Sequence, residues 1–171
     1  MRSSVTVRIR RISNLVPCIA LMGVWLAGLS LGLLADRFYG DCFGSLVFPA
    51  GEALLSFGNA CMVTILPLLL SAFAVLFFHC CGAFAAAFLR GVSLGFFLGL
   101  LMDAGGVWLA VLLPFSGLFF CPVLLWYLWR RLLMGLRDAR RDFCDCLLVG
   151  LFLAAVDTWV VAPFLAAALT F

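Results

Sequence analysis

Apolar residues in this chain fall into runs as long as a bilayer is thick, and short clusters of arginine, acid and glycine separate them. A helix needs about 20 residues to cross the hydrocarbon core. The first run extends from about Leu15 to Ala35. A stretch from 36 to 58 follows, holding Asp36, Arg37, Asp41 and Glu52 with Gly40, Gly44, Pro49 and Gly51, and it reads as a short acidic external loop. From Asn59 to Met102 the chain is apolar for roughly two spans' length. This predicts helices over about 60–79 and 82–102 joined by a tight turn near His79 to Gly82, with Arg90-Gly91 as the rival break. Asp103-Ala-Gly-Gly106 returns the chain to a fourth run, about 107–129, and a fifth extends over about 147–170.

The pattern therefore predicts an all-α, polytopic integral membrane protein: one membrane domain, a bundle of about five helices. Arginine fixes the expected orientation. Four arginines and no acid precede Leu15, and Arg130, Arg131, Arg137, Arg140 and Arg141 lie in 130–146. Basic segments stay on the cytoplasmic side, so 1–14 is expected to be a cytoplasmic tail and 130–146 a cytoplasmic loop. Three crossings between 59 and 129 satisfy the parity, placing nine of the 11 arginines inside. A signal peptide shares the basic start, but the first run is too long and lacks a small-x-small cleavage site, so an uncleaved anchor is favoured.

Composition agrees with this picture: 67% of the 171 residues are hydrophobic and 11% charged, too few to coat a water-soluble globule. The eight cysteines lie mostly within apolar runs and do not read as a disulfide framework. Cys144-x-Cys146 is a weak metal signal, better read as two small side chains near a helix start. Catalytic chemistry is sparse. His79 is the single histidine, lysine is absent, and no zinc motif, serine dyad, Walker sequence or dinucleotide fingerprint occurs. No enzyme, cofactor or nucleic-acid partner is expected.

Three features inside the apolar runs remain. Ala83, Ala87, Gly91, Gly95 and Gly99 recur every four residues, forming one helix stripe that admits a second backbone. Gly28 and Gly32 repeat the spacing in the first run. Packing within the chain is favoured over a homo-oligomer contact. Pro114 and Pro122, with Gly117, predict a kinked fourth helix. Arg90 and Asp157 lie about 12 and 15 Å from the expected cytoplasmic face at 1.5 Å per residue. Matching depth predicts that they pair or share a polar neighbour, as a structural pair rather than an ion or proton pathway.

The stretch FLRGVSLGFFLGLLMDAGGVWLAVLLPFSGLFFCPVLLW (88 to 126) resembles the core of the stage II sporulation protein M family. The closing LLVGLFLAAVDTWVVAPFLAAALTF (147 to 171), with Asp157, Trp159 and Pro163, is similar to that family's last helix. Ser56-Phe57, Asn59 and Met22-Gly23 also fit, so the likeness spans the chain from about residue 14. The chain departs from the family at Pro114-Phe-Ser-Gly117 and in its shorter external loop. The resemblance implies a non-enzymatic scaffold in the mother-cell membrane that anchors two peptidoglycan-degrading partners, stage II sporulation proteins D and P, during engulfment. On that reading the small-residue stripe packs helices, Arg90 and Asp157 fix the bundle, and 36–58 faces the hydrolases. The alternative is a membrane subunit of a transporter, the substrate-binding or permease component of an importer. It would need a polar cavity lined by Arg90, Asp157 and residues near Pro114 and Pro122.

Overall fold

A computed structural model describes residues 2–47, 57–105, 115–135, 137–161 and 163, and all of the regular structure among them is helical. Four elements follow in chain order: α1 (Arg2–Val47), α2 (Phe57–Gly105), α3 (Phe115–Met134) and α4 (Ala139–Val156), the last running into a π-helical turn, Asp157–Val161. Each contains a stretch long and apolar enough to cross a membrane: Leu15–Tyr39, Ala60–Leu100, Gly117–Met134 and Ala139–Val161. Burial supports this setting. Leu66, Phe73, Phe77, Leu89, Phe152 and Trp159 point outward, whereas Thr64, Ser71, Asp36, Arg131 and Asp142 are buried. The polar groups turn inward because hydrocarbon offers them no hydrogen bonds.

The 49-residue α2 is not one straight rod. His79 adopts φ 51, ψ −124, a backbone state rare for a residue with a side chain. There the chain turns back on itself: a Cβ on Gly82 would collide with the Ala74 carbonyl and crowd the Val75 nitrogen at 3.0 Å. Residues eight apart in a straight helix are separated by about 12 Å, so the contact requires the reversal. The helix passes through Arg90-Gly91 without a break, and the turn lies at His79. In the first limb, Ala60, Thr64, Leu68, Ser71 and Val75 form one buried face at helical spacing. Thr64 stays satisfied there by donating to the carbonyls of its own helix at Ala60 (3.2 Å) and Cys61 (3.1 Å).

The second limb packs on α1 through glycine. A side chain on Gly28 would strike the Phe88 carbonyl, on Gly32 the Val92 carbonyl, on Gly91 the Trp25 carbonyl and on Gly95 the Leu29 carbonyl. Position numbers rise together along both helices, so α1 and the second limb run parallel. Elsewhere the core is built by Leu21, Leu68, Phe120, Leu124, Leu128 and Cys146. The Phe120 ring lies over Gly150 of α4, 3.1 Å from where a Cβ would stand, and closes the first limb against α3 and α4.

Helix ends differ from the sequence expectation. α1 continues unbroken over 2–14 and 36–47, and its full 46 residues extend for about 69 Å, more than twice the hydrocarbon thickness. The segment 130–146, expected as a loop, is the end of α3, a tight turn and the start of α4. The beginning of the expected fourth helix, 107–114, lies outside the described residues, as does 164–170 of the fifth.

These contacts separate two glycines of α1 and its partner. Gly95→Leu drives a side chain into the Leu29 backbone and is expected to lower stability in detergent by about 3 kcal/mol. Gly23→Ala, with nothing within 4 Å of the added methyl, is expected to be neutral or to stabilise by up to about 1 kcal/mol.

Candidate functional site

The expected small-residue stripe is divided between two neighbours. Ala83 and Ala87 are fully buried in the central core. Gly91 and Gly95 receive the α1 backbone, and Gly99 receives a side chain: the Asp36 carboxylate lies where its Cβ would be. Asp36 is therefore a buried residue of α1 rather than part of an external loop, with 4% of its surface exposed. It continues the four-residue spacing of Gly28 and Gly32, so the face that packs backbone on backbone ends in an acid.

Arg90 extends from the second limb toward α3. Its Nη2 donates to the Gly117 carbonyl at 3.0 Å, and that oxygen also accepts from the Cys121 thiol at 3.3 Å. Gly117 makes room for this, since a Cβ would stand 3.1 Å from Nη2 and 2.9 Å from Val63 Cγ1. Asp157 opens the π-turn, half-buried and engaged, and that turn packs against both α2 and α3. Arg90 thus joins the second limb to α3, and Asp157 lies in a turn that packs on α2 and α3. Pro122 lies inside α3 on an exposed position, whereas Pro114 falls outside the described residues.

A second polar centre lies at the α3–α4 turn and was not anticipated from the sequence. Arg131 is buried, with its side chain 1% exposed. Its Nη1 donates to the carbonyls of Gly135 (3.0 Å) and Arg137 (3.1 Å), and its Nη2 pairs with Asp142 Oδ2. Arg130 approaches the same carboxylate oxygen at 3.0 Å from a position about a third exposed. Gly135 takes φ +60 and its N–H bonds back to the Arg131 carbonyl, ending α3 as a glycine cap does. Asp142, in the first turn of α4, also faces the positive end of that helix. The guanidinium of Arg131 lies 5.5 Å from the Tyr127 ring centre and that of Arg130 5.2 Å from Trp126. The usable signal was the combination of a glycine stop after Arg131 and an acid one turn into the following helix.

A cavity of about 320 Å³ joins this turn to the His79 reversal, lined by Val75, His79, Cys80, Ala83, Arg131, Leu132 and Gly135. The two turns therefore occupy the same end of the bundle. Two apolar grooves flank Pro122, and Arg90 and Asp157 belong to the lining of neither. Among the described residues, no three His, Cys, Asp or Glu side chains converge as a metal site would require.

Removing the carboxylate that two arginines share leaves buried positive charge uncompensated. Asp142→Asn is expected to cost about 3–5 kcal/mol in detergent unfolding experiments. Arg130→Gln, on the partly exposed partner, is expected to cost under about 1 kcal/mol.

The chain matches no protein-family model, and neither a curated protein nor a solved structure is significantly similar to it.

Proposed function

We propose that this chain is a non-enzymatic membrane scaffold that holds partner proteins at the membrane. The observation that carries the reading is the direct backbone contact of α1 with α2 at Gly28, Gly32, Gly91 and Gly95. Helices so close leave no room for an aqueous path between them, and such packing makes a rigid platform. Arg90 is anchored locally by its hydrogen bond to the Gly117 carbonyl, as a structural charge would be. On this reading Arg90 and Asp157 fix how the second limb, α3 and the π-turn dock.

The finer reading follows the resemblance to the stage II sporulation protein M family. It takes five crossings, with the two limbs of α2 as separate spans and the N-terminus in the cytoplasm. The partners are peptidoglycan-degrading enzymes like stage II sporulation proteins D and P, and the location is the mother-cell membrane during engulfment. The parallel course of α1 and the second limb supports this topology, because the first and third of five crossings run in the same direction.

Two measurements test the proposal. In a background without the other cysteines, exposed Cys80 and Cys81 beside the His79 turn are expected to react with a membrane-impermeant maleimide only after the cell is opened. Labelling in intact cells would overturn the topology. A tagged protein extracted in gentle detergent is expected to bring down peptidoglycan hydrolases. Recovery of an ATPase or a solute-binding protein instead would overturn the scaffold and support the importer subunit.

A further inference from the structure

Between α1 and α3 lies a groove of about 350 Å³, lined by Cys18, Leu21, Met22, Trp25 and, from α3, Leu118 to Trp129. It is apolar along its length, and its α3 wall from Leu118 to Trp129 extends for about 16 Å. One end is marked by charge. Trp126 and Trp129 lie at the end where α3 reaches Arg130, and the Arg130 guanidinium is stacked 5.2 Å from the Trp126 ring centre. Arg130 and Arg131 share the single carboxylate of Asp142, so the pair retains a net positive charge, which Arg130, about a third exposed, presents beside Trp126. Arg137 in the turn and Arg140 and Arg141 at the start of α4 follow on exposed positions, interspersed with the exposed Asp138 and Asp145. The α1 segment carrying Arg8, Arg10 and Arg11 enters at the same end, because Cys18 lines the groove a few residues later.

An occupant with an apolar chain and an anionic head meets both features at once.

We propose that this groove binds one anionic phospholipid, an acyl chain lying along Trp25, Leu118 and Leu125 and the phosphate resting on Arg130. The inference requires only that the helices lie in a membrane and is independent of the scaffold reading. Aromatic residues at the headgroup level and arginine beside them are the usual means of holding such a lipid.

Native mass spectrometry of the detergent-purified full chain, titrated with phosphatidylglycerol or phosphatidylcholine, tests the site. One phosphatidylglycerol is expected to be retained about fivefold more strongly than phosphatidylcholine, the worth of one arginine at the headgroup. Arg130→Gln is expected to abolish that preference while Arg140→Gln preserves it. Met22→Trp, at a 43% exposed position on the groove wall, is expected to remove retention of both lipids, and Cys18→Phe serves where that variant does not fold. Equal retention of the two lipids by the unmodified chain, undiminished retention after the groove is filled, or an equal effect of Arg140→Gln would overturn the proposal.

Discussion

The fold depends on how closely α1 can lie against the second limb of α2. Four glycines meet four carbonyls across that seam, and each is a position where even a methyl group would collide with backbone. In hydrocarbon there is little hydrophobic gain from bringing two apolar helices together, so association rests on close van der Waals contact and on backbone approach. The seam supplies both. It also determines what the remaining surface does, because a stripe used within the chain is not available to a partner, and large apolar side chains are left on the outside.

Polar groups are then placed by what the seam leaves over. Asp36 fills the space above Gly99, Arg90 reaches a carbonyl on α3 that a glycine exposes, and Thr64 and Ser71 point inward along the first limb. The Arg131–Asp142 pair is of another kind. It joins residues on either side of a tight turn, holding α3 and α4 at a set angle while Arg131 also satisfies the carbonyls of that turn. Buried pairs contribute little net stability but penalise the alternatives strongly, which suits a turn whose register determines where Phe120 meets Gly150.

Much of this was legible in the hydrophobic pattern. The helical class, the four-residue stripe and a reversal near His79 all follow from run length and small-residue spacing. What escaped lay at helix ends. A charged residue at the edge of an apolar run looks like the beginning of a loop, yet Asp36 lies one turn beyond Gly32 on the same face and is buried. Arg130 to Arg141 read as a basic loop because hydropathy averages over side chains, whereas the Gly135 cap and the Asp142 position decide the path. Which of the two limbs α1 would choose was likewise beyond local pattern, since Gly28 and Gly32 state that a close neighbour exists and not which one.

That choice has a consequence for assembly. α1 skips the first limb and pairs with residues some 64 positions later, so the seam cannot close until the helical hairpin has been synthesised through Gly99 and inserted. Synthesis delivers the N-terminal segments first. Until then α1 stands in the bilayer with its glycine face uncovered and Asp36 waiting for its cover, a vulnerable stage that ends only when the third apolar segment arrives.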